Sequence, residues 1–254
     1  MQTIAIGNHK GGTGKTTTAY NLGHELAARR RVLLVDLDYQ ASLSSIAGID
    51  AGGGDIAQVL GNDRAPARSV IRELGRNLAI LPSAIDLADV EAQLVNRIGR
   101  ENVLRRALAS VGDDFDVALI DCPPSLGVLT VNALAAAAGV LAVSTPTGVD
   151  LRALELFLST VDEVKREINP GLELVGILLT SFDQRYGHHQ DVAGAMTSGQ
   201  LPLLPVTIPR SVRVAESATA HQSVAQYAPG HPAALAYHEL GRILESWLND
   251  RKSS

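Results

Sequence analysis

Two lysines five residues apart, Lys10 and Lys15, frame the stretch KGGTGKTT, and their spacing suggests phosphate chemistry. A phosphate-binding loop usually reads G-x-x-x-x-G-K-[ST]. Gly14, Lys15 and Thr16 supply its end, but His9 stands where its first glycine belongs and a second lysine, Lys10, follows at once. Gly11, Gly12 and Gly14, with Thr13 between the last two, let backbone N–H groups turn toward a phosphate, and the start of a helix adds partial positive charge. Lys15 is then placed to neutralise β- and γ-phosphate oxygens, and the Thr16 hydroxyl to ligate Mg²⁺.

Three carboxylates fit the same chemistry. LLVDLD puts Asp36 and Asp38 at the end of an aliphatic run, and VALIDCPP does the same for Asp121. Ligands of open α/β sheets bind beyond the carboxyl ends of the strands. Phosphoryl transfer needs a metal to spread charge and a polar group to orient the attacking water. Asp121 is expected in the Mg²⁺ shell through a water, Asp36 near the metal, and Asp38 on the attacking water. The other reading makes these aspartates caps of the helices that follow. Lys10, at the loop entrance, is expected to project away from the nucleotide of its own loop. A nucleotide presented by a second molecule would be its target, making ATP the glue of a homodimer; a solvated loop lysine is the alternative.

The elements that must position these groups are legible as aliphatic runs. QTIAIG at 2–7, RVLLVDLD, LAILPS at 78–83, DVALIDCPP at 116–124, GVLAVSTP at 139–146, LELVGILLTS at 172–181 and LPVTIP at 204–209 read as strands. Continuous rather than alternating runs mark strands covered on both faces. Helical patterns run from Thr16 to about Arg29 and over 56–61, 86–109, 127–137, 151–168, 189–198, 211–219 and 233–248. This alternation predicts a three-layer α/β fold, a mostly parallel twisted sheet flanked by helices. One domain over residues 1–250 is expected, with a short flexible tail at 251–254 and a mobile loop at 48–55.

Composition narrows the classes. The 254 residues are 46% hydrophobic, 19% charged and 4% aromatic with 23 glycines, which suits a globular chain with an aliphatic core. A net charge of −5 argues against a constitutively basic nucleic-acid binder, so any polyanion site is a local patch. The single cysteine, Cys122, excludes an internal disulfide or a multi-cysteine metal site and reads as a small packed residue. No secretory signal is recognised, and the longest apolar run, of 11 residues from Ala133 to Val143, falls short of the roughly 20 needed to span a bilayer. A cytoplasmic location is expected. The arginines at 64, 68, 72 and 76 and at 97, 100, 105 and 106 read as solvated helix surface, with Pro66 interrupting the first set.

KGGTGKTT resembles the deviant Walker A motif of the ParA/MinD family of dimerising ATPases. VLLVDLDYQAS is similar to its second motif and VALIDCPPSLGVLTVNAL to its Walker B segment. LPSAIDLADVE, GILLTSFDQRYGHHQDV and TIPRSVRVAESATAHQSVAQY extend the likeness to ParA/Soj partition proteins over nearly the whole chain. The resemblance implies that Lys10 reaches the partner's phosphates across an ATP sandwich dimer, that Lys15, Thr16 and Asp38 are the phosphate lysine, the Mg²⁺ ligand and the residue needed for hydrolysis, and that Thr17 touches the α-phosphate. It also implies that Pro209 and Arg210 line the base and that Arg185 and Arg213 help the ATP dimer bind DNA without sequence specificity. A ParB-type centromere-binding protein would stimulate hydrolysis and release the dimer from the nucleoid.

Departures from the pattern bear on these implications. Tyr39 replaces the usual proline after Asp38, and YAPGHPAA at 227–234 lacks the basic residues relatives often carry there. DNA affinity is therefore expected to be lower or to lean on the arginines at 64–76 and 97–106. No operator-reading helix-turn-helix is expected before the phosphate loop. His188, His189 and Asp191 lack a fourth ligand and read as a polar or DNA-facing loop rather than a metal site. Leu240, Ile243, Leu244, Trp247 and Leu248 share one face of the last helix. A MinD-like membrane tail would use such a face, but its balanced charges favour packing on the domain, and no membrane partner is expected. A ParA-like ATPase positioning a protein cargo is the second alternative. A nitrogenase-reductase-like carrier is excluded by the lone cysteine.

Overall fold

Continuous apolar strands need cover on both faces, and the computed structural model supplies it with a sheet between two helical layers. It describes residues 1–50, 54–62 and 65–253. In chain order the elements are β1 (Gln2–Gly7), α1 (Lys15–Ala27), β2 (Val32–Asp36), α2 (Ser42–Ile46), α3 (Ile56–Gly61), β3 (Arg72–Gly75), β4 (Leu78–Leu81), α4 (Leu87–Leu94), α5 (Val103–Ala109), β5 (Val117–Asp121) and α6 (Val128–Ala136). The chain continues through β6 (Gly139–Ser144), α7 (Gly148–Glu167), β7 (Glu173–Phe182), α8 (Gly187–Ser198), β8 (Leu203–Pro209), α9 (Val212–Thr219), α10 (Val224–Tyr227) and α11 (Pro232–Ser253).

The eight strands lie in the order β3-β4-β2-β5-β1-β6-β7-β8. All neighbours are parallel except β3, which runs antiparallel to β4 at one edge. Successive side chains of a strand point to opposite faces, so each central strand feeds two cores. Ile4, Ile6, Val32, Leu34, Val117 and Leu119 pack with α1 and α11; Ala5, Leu33, Val35, Ala118 and Ile120 pack on the other face with α3 to α8. The carboxyl ends of β1, β2 and β5 meet at the middle of the sheet, since Ile6 and Asp36 are both register partners of Asp121.

Several expectations need correction. The helix expected over 86–109 is broken: α4 stops at Leu94, and Gly99, at φ 68°, starts a single 3-10 turn before α5. Glycine tolerates that left-handed backbone without a Cβ penalty. The described arginines of the first set do not share a helix surface. Arg68 sits on a single 3-10 turn and pairs with Asp114, Arg72 is on edge strand β3, and Arg76 is in the turn joining β3 to β4; Arg64 lies outside the described residues. The second set follows the broken helix, with Arg100 in its 3-10 turn and Arg105 and Arg106 on α5. Of the loop expected to be mobile, residues 51–53 lie outside the described residues.

Helix α11 continues past Asp250 to Ser253, so residues 251–253, expected as tail, extend the last helix. Its Leu240, Leu244 and Leu248 are fully buried on the domain, and Trp247 lies against Gly139, where an added Cβ would come within 2.5 Å of the indole. The apolar face of this helix is therefore covered by the sheet and α1. Among the described residues no helix is long and apolar enough to cross a membrane.

Candidate active site

The loop between β1 and α1 is shaped by glycine and anchored by two buried polar side chains. Gly12 and Gly14 adopt φ of 76° and 87°, and Gly14 is the N-cap of α1, where no side chain caps the helix. The first N–H groups of α1 are thereby left to a ligand. Asn8 donates from Nδ2 to the Val143 carbonyl on β6 at 2.7 Å and accepts the Lys10 N–H on Oδ1 at 3.2 Å. On β7, Thr180 donates to the Thr13 carbonyl at 2.6 Å. Gly11 and Gly12 are exposed at the loop tip, Thr13 is buried, and Thr16 and Thr17 are half-buried on the first turn of α1.

The two lysines have opposite surroundings. Lys15 is 6% exposed, and its ammonium donates to the Lys10 carbonyl at 2.9 Å. Burial lowers its pKa, with Asp121 the main opposing influence. The Lys10 side chain is 42% exposed, and its ammonium pairs with Asp150 in the first turn of α7. Asp150 also accepts the hydroxyls of Thr145 and Thr147, the latter at 2.6 Å. Burial works to raise the Asp150 carboxyl, but Lys10 and these hydroxyls hold it below the usual carboxylate range.

The three aspartates separate in the same way. Asp36 is fully buried; its Oδ2 accepts both the N–H and the hydroxyl of Ser44 at 2.8 Å, and its Oδ1 accepts the Asp38 N–H at 3.2 Å. Ser44 lies on α2, whose own N-cap, Ala41, provides no side-chain cap. Asp36 thus caps the following helix, as in the other reading of the strand-end aspartates, and stands beside Asp121, its register partner. Burial pushes its pKa up to about 6 against these hydrogen bonds. Asp38 is half-buried in the turn beyond β2, its Oδ1 accepting the Gln40 N–H at 3.0 Å.

Asp121 is buried, and neither carboxylate oxygen has a partner of full hydrogen-bond geometry. Burial first, then the neighbouring Asp36 carboxylate, raise its pKa well above the usual range; the Thr16 hydroxyl and Lys15 work in the other direction. An orphaned buried carboxylate facing a helix-start threonine suits a hard divalent cation, which takes oxygen ligands.

The remaining expected residues are spread along the carboxyl edge of β7 and β8. Pro209 pairs with Phe182, two residues beyond Thr180, and the Arg210 N–H donates to the Phe182 carbonyl at 3.4 Å. Arg185, 88% exposed in the β7–α8 connection, pairs with Asp183 at 2.7 Å, and Arg213, near the start of α9, pairs with Glu216 at 2.8 Å. His189 has Nδ1 occupied by the Asp183 N–H at 3.1 Å and its ring beside Phe182 and Tyr186. Sequence reasoning missed Asn8, Ser44, Asp150 and Thr180. Asn8 and Thr180 sit at the ends of legible strands, but nothing local marks their partners.

A phosphate loop, a buried lysine, a helix-start threonine and an orphaned carboxylate on a central parallel sheet define the P-loop nucleoside triphosphatase class. A family model described as an AAA domain matches residues 1–174. The chromosome partitioning protein ParA of Myxococcus xanthus is 42% identical over 247 residues, covering 95% of this chain and 87% of that one. Soj of Bacillus subtilis, a sporulation initiation inhibitor protein, is 38% identical over 245 residues, covering 94% and 96%. Among solved structures, cobyrinic acid a,c-diamide synthase from Mycobacterium smegmatis with bound ADP and magnesium has a TM-score of 0.86 at 37% identity, covering 97% of this chain and 95% of that one. The chain belongs to the ParA/Soj/MinD family of P-loop ATPases.

Proposed function

We propose that this chain is a partition-type ATPase whose ATP-bound homodimer binds DNA without sequence specificity and is released when a ParB-type partner stimulates hydrolysis. The observation that carries the reading is the division of labour between the lysines. Lys15 lies inside the loop, whereas the Lys10 ammonium stands outside it on Asp150, with enough exposure to meet a second molecule. A cation beside, but not within, its own phosphate cradle is suited to a nucleotide held by a second copy.

Within each site the loop from Gly11 to Thr17 would cradle ATP, with Thr13 in the loop, Lys15 on the β- and γ-phosphates and Thr17 toward the α-phosphate. Thr16 and Asp121 would hold Mg²⁺, which supplies charge neutralisation between the phosphates. Asp38 orients the attacking water, Asp36 holds the turn that carries Asp38, and Pro209 and Arg210 face the base. Arg185 and Arg213, on neighbouring connections at one edge of the sheet, contribute to phosphate-backbone contacts. The nucleotide then acts as a switch between a monomeric and a dimeric, DNA-bound state in the cytoplasm, with cargo chosen by the partner.

The test is fluorescence anisotropy of a random-sequence duplex with ATP, ADP or no nucleotide across a range of salt concentrations. Salt-sensitive binding confined to ATP, absent in Lys10→Ala, is the expected result, because phosphate contacts release counterions. Absence of binding in every state at low salt would remove DNA from the mechanism.

A further inference from the structure

Asp38 must point at a water to act, yet among the described residues the hydrogen bond its carboxylate accepts comes from its own turn, from the Gln40 N–H. What fixes the turn is Asp36, which accepts the Asp38 N–H through Oδ1. Asp36 is itself held through its other oxygen by a single residue, Ser44, which gives it both a backbone and a side-chain hydrogen bond at 2.8 Å. The Ser44 hydroxyl in turn accepts the Ser83 N–H at 2.9 Å, just beyond the end of β4. Ser44 is 2% exposed, so no water substitutes readily for its hydroxyl. This chain of hydrogen bonds runs from the edge side of the sheet to Asp38 and touches none of the residues that would hold the triphosphate.

We propose that Ser44 is a positioning residue for ATP hydrolysis, which sets the direction of Asp38 through the Asp36 carboxylate. The proposal rests on the reading of Asp38 as the water-orienting residue. Without the hydroxyl, Asp36 keeps one donor on Oδ2 and can turn about its χ2, and the Asp38 N–H loses a fixed acceptor. Small displacements of an orienting group cost one to two orders of magnitude in rate, while binding through the loop is unaffected.

The experiment is steady-state phosphate release from Mg²⁺-ATP by the full chain and its Ser44→Ala, Ser44→Thr and Ser45→Ala variants. In Ser44→Ala, kcat is expected to fall about tenfold or more with KM within about twofold of wild type. Ser44→Thr, which keeps the hydroxyl, is expected to recover most of the rate, and Ser45→Ala, altering the exposed neighbouring serine, to match wild type. Wild-type kcat in Ser44→Ala, a loss confined to KM, or a Ser44→Thr as slow as Ser44→Ala would each overturn the proposal. Should Ser44→Ala not fold, Ser44→Cys, of similar volume and a much weaker donor, is read in the same way. Asp38→Ala run alongside separates the two levels. Wild-type turnover in Asp38→Ala overturns the role of Asp38 and the proposal with it, whereas a dead Asp38→Ala beside a wild-type Ser44→Ala overturns the proposal alone.

Discussion

Asp36 and Asp121 are register partners on adjacent parallel strands, both buried, yet Asp36 accepts three hydrogen bonds from the protein and Asp121 none of full geometry. Two like charges side by side cannot both be compensated by the same surroundings. The fold gives one carboxylate to the turn and leaves the other without a partner of full hydrogen-bond geometry.

Replacing Asp121 by Asn is therefore expected to act in opposite directions on the free and the loaded protein. With a chelator present, relief of a carboxylate whose burial and Asp36 repulsion outweigh the help of Thr16 and Lys15 raises stability by about 1–3 kcal/mol. With Mg²⁺-ATP, the variant gains less than wild type because a metal-shell oxygen is gone. Thermal melts under the two conditions read both effects, and a lower melting temperature in the chelated variant would contradict the assignment.

Asp36 makes the metal-free protein lose stability as pH rises, the reverse of ordinary acid denaturation. Its folded pKa, pushed up to about 6 by burial, lies above the ordinary 3.8. Between those values the native state holds a proton that the unfolded chain has released. This group's contribution to stability is therefore full below about pH 4 and lost as pH rises toward 6, by about 3 kcal/mol in all. Urea unfolding of wild type and Asp36→Asn at about pH 4.5 and about pH 7.5, with chelator, should show the wild type losing ground to the variant at the higher pH. A difference independent of pH would contradict it.

Gly7→Ala is expected to destabilise the protein through packing alone. A Cβ there would lie 2.3 Å from Cζ of Phe157, a fully buried ring on α7. Overpacking of this kind costs about 1–3 kcal/mol. Because Gly7 precedes the Asn8 anchor of the loop, nucleotide affinity falls too. Phe157→Leu in the same chain should recover part of the stability in a denaturant titration; no recovery would place the strain elsewhere.

Arg185→Ala is expected to weaken ATP-dependent DNA binding equally for all duplex sequences. The arginine is exposed and pairs with Asp183, in an ion pair open to solvent that adds little to stability. Removing one arginine–phosphate interaction should reduce the slope of log affinity against log salt by about 0.9, hence by about 2 for a dimer. An unchanged slope would exclude Arg185 from the DNA-binding surface.

Much of the site was legible because it is local. The turn that presents N–H groups to phosphate, the lysine and the threonine lie within one loop, and only glycine adopts the φ of 87° that Gly14 requires so readily. The parallel strands were legible because burial on both faces leaves aliphatic runs. The strand missed was β3, RELG, whose alternating half-buried and exposed residues carry no such run. Its signal lay in the turn, where Gly75 and Asn77 take positive φ.

By itself the sequence determined the class of fold, the phosphate loop and the presence of a second lysine outside the standard motif, all of which follow from residue types at short, regular spacing. Only the tertiary structure decided that Asp36 serves α2 and the Asp38 turn while Asp121 has no partner of full hydrogen-bond geometry, and that Lys10 rests on Asp150. Those outcomes depend on which segments the sheet brings together: the Ser44 donors of α2 reach Asp36, and Lys10 in the loop after β1 meets Asp150 at the start of α7. No local pattern encodes which of two buried carboxylates such a donor will reach.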